Sequence, residues 1–445
     1  MTLMMTVSGV RGLIGETMTP ALAADIGTAF GSHLGGGKVV VGRDSRPSGQ
    51  MVQAAMVSGL LAAGCDVVDL GVVSTPGAAF MTVRHRAAGG VMITASHNPI
   101  AWNGIKFFTP EGAAPPADLA ERIFARYRER SFKLVDVQHL GSLSRDDSTD
   151  ASHVDAVLSL LDVEAIGRRR FKVVLDSING GGCVSGRMLL DRLGCQVVHV
   201  NGEPTGLFGH TPEPTAENLT GLCENVRQHG AAIGFAQDPD ADRLAVVDDT
   251  GRYIGEEYTL ALAAMYVFAK RPGPAAANLS TSRMIDDLAA RAGGGIVVHR
   301  SAVGEANVVS EMKRYRCVIG GEGNGGVIEP RIVCVRDSLV SMGYVLSLLA
   351  EGGEPLSELA DRLPRYVMIK RKYELPRQRI TEWLARLPAL ARDGKVNNID
   401  GVRIDWPEGW VHVRASNTEP IARVIAEAAD QSTAASLVQR VLDCQ

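Results

Sequence analysis

Apolar positions fall into short runs separated by longer stretches of helical character, and the pattern occurs three times. In the first unit an apolar strand from Lys38 to Asp44 is followed by a helical stretch from Met51 to Ala63. A second strand runs from Cys65 to Leu70, and a third from Gly90 to Thr94 runs into Ala95-Ser96-His97-Asn98-Pro99. The second unit repeats this from Phe171, with a helical stretch to Leu193, a strand from Cys195 and a strand from Ala231 that enters Asp238-Pro239-Asp240-Ala241-Asp242-Arg243. The third starts at Ala275, is helical to Ala292, resumes at Gly295, and ends with a strand from Arg316 into a run of glycines around Glu322. Short buried runs alternating with helices predict βαβ units with parallel strands, whose ligands gather at the strands' carboxyl ends. Each unit therefore delivers one polar loop to the same end of its sheet.

From about Tyr366 the pattern changes. Short strands from Gly401 to Asp405 and from Trp410 to Arg414 precede a helix from about Ser432 to Leu442, which predicts an α+β domain. The expected fold is α/β, with three related α/β domains of mixed, largely parallel sheets and a smaller α+β C-terminal domain around a central cleft. Domains are expected at 1–150, 151–251, 252–366 and 367–445.

Composition narrows the function. A net charge of -4 over 445 residues leaves no basic field for a nucleic acid. No run approaches the ~18 apolar residues of a membrane span, and the start lacks a signal-peptide pattern. The seven cysteines are scattered, with no C-x-x-C pair, which suits a reducing compartment and a cytoplasmic protein.

The loops carry the chemistry. Ser96 sits between a buried strand and a proline; turn closure is the commoner job of such a serine, but His97 is adjacent and Lys106 follows a few residues on, so phosphate charge has cations to meet it. Asp238, Asp240 and Asp242 alternate along an extended loop, a spacing that lets three carboxylates converge on one hard cation. A calcium EF-hand is excluded by Arg243 where its glycine belongs and by the preceding strand, so magnesium is expected. Around Glu322 and Asn324 the glycines allow close backbone approach, and the two polar groups suit sugar hydroxyls. Arg414, Ser416, Asn417 and Thr418, with Arg423 beyond, suit a phosphate, because a guanidinium matches its oxygens in pairs.

In order along nearly the whole chain, these loops resemble those of the α-D-phosphohexomutases. Thr94 to Pro99 looks like that family's phosphoserine loop, Asp238 to Arg243 its metal loop, Gly321 to Gly326 its sugar loop and Arg414 to Pro420 its phosphate loop. Ser8 to Gly12, Val41 to Arg46, Asn103 to Lys106 and Asp176 to Gly180 also fit. The resemblance implies that phosphorylated Ser96, a fourth metal ligand beside the three aspartates, passes its phosphoryl group to a hexose phosphate through a 1,6-bisphosphate. Arg11, Lys106 and Arg243 would offset charge, and Arg11, Lys106 or His97 would handle the proton. Glu322, Asn324, Arg414, Ser416, Asn417, Thr418 and Arg423 would bind substrate. Two departures stand out: where the family's sugar loop often has serine and histidine, this chain has Asn324 and Gly326. Glucosamine phosphate is the favoured substrate, with mannose and glucose phosphates as alternatives, and the expected state is a monomer or homodimer. A sugar phosphatase using the first aspartate of the Asp-x-Asp pair is the rival enzyme class, and an idle sugar-phosphate binder the third reading.

Overall fold

The computed structural model describes residues 3–416 and 420–445. Four sheets organise it. Three of them contain the same four-stranded unit. In the second domain the strand Lys172–Asp176 pairs in parallel with Gln196–Val200 on one side and with Ile233–Gln237 on the other. The last of these turns back antiparallel into Leu244–Val247. In the third domain Ala275–Asn278, Val298–Ser301, Ile319–Glu322 and Gly326–Ile328 take the same places. In the first they are Gly37–Arg43, Cys65–Val72, Gly89–Ile93 and Trp102–Phe108. That sheet is extended to seven strands by Met4–Thr6 and Gly9–Leu13 at one edge and Leu143–Arg145 at the other.

The repeat read from the sequence is thus real, and each unit has a fourth strand that the pattern of apolar runs did not reveal. The polar loop is the turn of a hairpin, leaving the carboxyl end of a parallel strand and returning at once. This geometry puts residues after each loop, Lys106 among them, back beside the site.

Helix ends are set locally. Thr19 caps Pro20–Leu34 by accepting from the Leu22 N–H, and Gly35 ends that helix with a left-handed φ of 75°. Asp337 caps Ser338–Gly352 by accepting from the N–H groups of Leu339 and Val340. The helix Ser338–Gly352 packs into the second domain, so one apolar cluster runs from Val154 through Phe235 to Leu346 and Leu363. The fourth domain is a five-stranded antiparallel sheet in the order Val367–Glu374, Ile421–Ala428, Gly409–Ala415, Val402–Trp406, Lys395–Asn397. Its core, around Trp383, is separate. No helix among the described residues is long and apolar enough to cross a membrane, and none of the seven cysteines is paired.

Candidate active site

The serine loop is held from behind. Arg46, fully buried, donates from Nη2 to the carbonyls of Ser96 (2.5 Å) and Asn98 (2.7 Å), and from Nη1 to those of Pro99 (2.8 Å) and Trp102 (2.9 Å). Its Nε donates to Asp44 at 3.0 Å, and Asp44 also accepts from the Thr94 hydroxyl at 2.7 Å. One guanidinium thus gathers four backbone carbonyls of this turn. Ser96 itself has a φ of 51°, the left-handed region that L side chains avoid. Its Oγ lies 3.1 Å from Asp238 Oδ2 and 3.4 Å from His97 Nδ1.

In the second hairpin, Asp238, Asp240 and Asp242 each present an oxygen, and these atoms lie within 4.8 Å of one another. Ala241, with a φ of 55°, makes the turn that aims them together. All three carboxyl groups are buried, yet Asp240 Oδ1 and Asp242 Oδ1 have no hydrogen-bond partner among the described residues. Orphaned anionic oxygens at such depth are costly unless a cation completes them, and an all-oxygen set suits magnesium. The residues fit that ion.

Burial first, and then Asp240 and Asp242, push Asp238 well above the usual carboxylate range. Burial also works against charge on Asp242, but Arg336, Lys106 and Arg243 overcome it and hold that group low. Lys106 Nζ donates to Asp240 at 2.7 Å and to Asp242 at 3.1 Å. The Thr75 hydroxyl donates to Asp240 at 2.7 Å. Burial, with Arg243 and Arg11 adding to it, takes His97 down to about 3, so its ring is neutral near pH 7.

In front of these loops lies a cleft of about 390 Å³. Among the described residues, Arg11, Lys106, Arg243, Arg336, Arg414 and Arg423 line it, against only Glu305 and Glu322. Arg11 stands on the strand next to that of Lys106, opposite Gly104, whose missing side chain leaves room for it. Glu322 accepts from Asn278 at 2.8 Å, the Gly304 N–H at 3.2 Å and Arg336 at 2.6 Å. The buried Oδ1 of Asn324 has no partner among the described residues. Arg414 and Arg423 face each other across adjacent strands of the fourth domain, and Ser416 lines the same cleft. Arg414 Nε also donates to Asp400 at 3.0 Å. Asn417 and Thr418, also named from the sequence, lie outside the described residues.

Sequence reasoning missed Arg46, Thr75, Glu305 and Arg336. Arg46 stood within the stretch from Val41 to Arg46, but nothing there showed that its guanidinium turns inward. For Glu305 and Arg336 the sequence carried no signal, since their partners are brought to them only by folding.

Models of four families match in order: "Phosphoglucomutase/phosphomannomutase, alpha/beta/alpha domain I" over residues 3–134, domain II over 151–251, domain III over 256–366, and the C-terminal domain over 368–443. The chain is 40% identical over 435 residues to a Thermococcus kodakarensis protein named phosphoglucomutase/phosphomannomutase, covering 96% of this chain and 94% of that one. It is 37% identical over 440 residues to a probable phosphoglucosamine mutase of Methanopyrus kandleri, covering 98% and 96%. Among solved structures, a phosphoglucomutase/phosphomannomutase family protein of Burkholderia thailandensis superposes with a TM-score of 0.88 at 29% identity, covering 99% of this chain and 96% of that one.

Proposed function

Since the chain belongs to the α-D-phosphohexomutase superfamily and is a phosphohexomutase, we propose that it interconverts glucosamine 6-phosphate and glucosamine 1-phosphate through a phosphorylated Ser96. The observation that carries this reading is the Ser96 hydroxyl 3.1 Å from Asp238, beside a cleft with six cationic side chains.

Asp238, Asp240, Asp242 and Ser96 would hold a magnesium ion, which supplies charge neutralisation to the phosphoryl group when bound. The bond between phosphorus and Ser96 Oγ breaks as a bond forms to the free hydroxyl of the bound hexose monophosphate. The hydroxyl proton leaves to His97, neutral near pH 7, or to Arg11 or Lys106 once either has released its own proton, and a hexose 1,6-bisphosphate results. After the sugar turns over, its other phosphate returns to Ser96 and the proton goes back to the sugar oxygen. Burial lowers the pKa of Arg11, whereas Asp240 and Asp242 outweigh the burial of Lys106 and raise its pKa, which holds Lys106 in its charged form. Arg243 and Arg11 offset charge around the transfer, which depends on placement and electrostatics more than on covalent chemistry. Arg414, Arg423 and Ser416, with Asn417 and Thr418, grip the phosphate not in flight, and Glu322 and Asn324 read ring hydroxyls.

The choice of glucosamine is supported by relatives named probable phosphoglucosamine mutases at 37% and 36% identity, while the 40% identical relative is named for the glucose and mannose enzymes. The scattered, unpaired cysteines support a cytoplasmic setting. The test is kcat/KM on glucosamine, mannose and glucose 6-phosphates with magnesium and bisphosphate activator. Glucosamine 6-phosphate is expected to be turned over fastest. An acid-stable phosphate on Ser96 is also expected, whereas an acid-labile acyl phosphate on Asp238 would establish the phosphatase reading instead.

A further inference from the structure

Gly326 has no backbone reason to be glycine. It opens the strand Gly326–Ile328, pairs across the hairpin with Glu322, and does not have a left-handed φ. What excludes a side chain is Arg336: a Cβ on Gly326 would lie 2.2 Å from Arg336 Cδ and 2.8 Å from its Cγ. The arginine therefore passes through the volume that a side chain at 326 would occupy, on the face shared with Glu322.

That path ends among three carboxylates from three elements. Arg336 Nη1 donates to Glu322 at 2.6 Å and Nη2 to Asp242 at 2.7 Å. Its Nε lies 3.0 Å from Glu305, in the first turn of the helix Glu305–Tyr315, and its backbone N–H donates to the same carboxylate at 3.0 Å. The backbone that follows it is fixed. The Asp337 N–H donates to the Val327 carbonyl at 2.8 Å, while its carboxylate caps the following helix and meets His153 Nε2 at 2.7 Å. A planar fork anchored this firmly sets the direction of the groups it holds.

We propose that Arg336 stands in for the missing side chain at position 326, acting as a positioning residue that orients Glu322 toward the substrate ring and ties the sugar loop to the metal loop. This rests on the mutase reading for its catalytic consequence, but not for its packing consequence, so the two are tested apart.

The packing test is a thermal-unfolding cycle on Gly326→His, Arg336→Ala and the double variant. Gly326→His alone should lower the midpoint by about 5 °C, because the ring and the arginine cannot share one volume. In the double variant the ring enters vacated space, so the combined loss should be smaller than the sum of the two. Additive losses would overturn the proposal, whatever the enzyme's activity proves to be. The kinetic test uses the magnesium-loaded enzyme. Arg336→Ala should raise KM about ten- to a hundredfold, since a charge-assisted contact no longer holds Glu322 in place. Arg336→Lys should recover only part of that loss, because a single ammonium cannot reproduce the fork to Glu322 and Asp242 together. Unchanged KM in the alanine variant, or full recovery by lysine, would refute the positioning role. Absence of mutase activity in the unsubstituted protein would refute the functional reading and leave the unfolding cycle to decide the packing claim.

Discussion

Ser96, the proposed nucleophile, sits in a backbone conformation that its side chain opposes. At a φ of 51° an L residue costs about 1–2 kcal/mol, which the four carbonyl contacts of Arg46 and the Thr94 hydroxyl bond to the Ser96 N–H offset. Two replacements separate chemistry from strain. Ser96→Ala and Ser96→Gly both remove the proposed nucleophile, so each should fall below a thousandth of wild-type turnover. They should differ in stability, the glycine variant unfolding about 1 kcal/mol later than the alanine variant because only glycine accepts that φ freely. Chemical denaturation of the two proteins checks this, and equal midpoints would contradict it. Asp238, Asp240 and Asp242 show the same economy, since Ala241 is the residue forced to a φ of 55° so that its two acidic neighbours turn inward.

At the scale of elements, the hairpin that ends the last parallel strand of each unit explains why three loops of unlike chemistry meet. Each leaves a sheet at its carboxyl edge and returns within a few residues, so its polar groups stay at the crevice. The helix Glu257–Lys270 supports one such loop from below. A Cβ on Gly323 would come within 2.0 Å of Glu257 Oε1, so the sugar loop lies directly on this carboxyl group, which also accepts from the Ser282 N–H at 3.0 Å. Burial pushes Glu257 up to about 8, with Lys370 and the Ser282 N–H opposing and Glu427 and Glu256 adding to it. The folded protein thus keeps a proton that the unfolded chain has already released above its ordinary value of 4.5. Between about 4.5 and 8 the unfolded state binds fewer protons, so Glu257 makes stability fall as pH rises. Glu257→Gln should remove that slope and be more stable than wild type at pH 8, with little difference at pH 5. Urea unfolding across this range is the measurement, and a slope identical to that of wild type would show the carboxyl group to be ionised throughout.

In the whole molecule, the second and third domains share one apolar cluster, whereas the fourth has its own core. The fourth meets the third through polar contacts: Ser280 with His412 at 2.9 Å, the Leu279 carbonyl with Arg403 at 2.5 Å, and Asp400, which accepts from both the Val303 N–H and Arg414 at 3.0 Å. Asp400 therefore ties Arg414 to the loop beside Glu322. The two ends of the cleft have different duties in the proposed reaction. A phosphate on either C1 or C6 must be held by Arg414 and Arg423, so this end ignores the ring between. Arg414→Ala should lower affinity about ten- to a hundredfold, by similar factors for glucosamine, mannose and glucose phosphates. Glu322→Gln should change the order of the three sugars, because it alters a group proposed to read the ring hydroxyls. Values of kcat/KM for the three 6-phosphates in both variants decide it, and an arginine variant that reorders the sugars while the glutamine variant lowers all equally would reverse the assignment.

The sequence by itself determined the repeat, because apolar period and glycine placement are local properties: strands at Gly37–Arg43, Lys172–Asp176 and Ala275–Asn278 are readable one segment at a time. It also marked Ser96, the three aspartates, Glu322 and Arg414, through four polar loops that follow one another in the order of a known family. The antiparallel return strands Leu244–Val247 and Gly326–Ile328 were not legible, being only four and three residues long and defined by the partner they pair with. Tertiary structure alone decided what Arg46, Glu305 and Arg336 do. Arg46 reaches carbonyls about fifty residues away, and Arg336 joins Asp242, Glu305 and Glu322 across as many as 94 residues of chain. A charged side chain takes its meaning from the charges folded around it, and no local pattern records those.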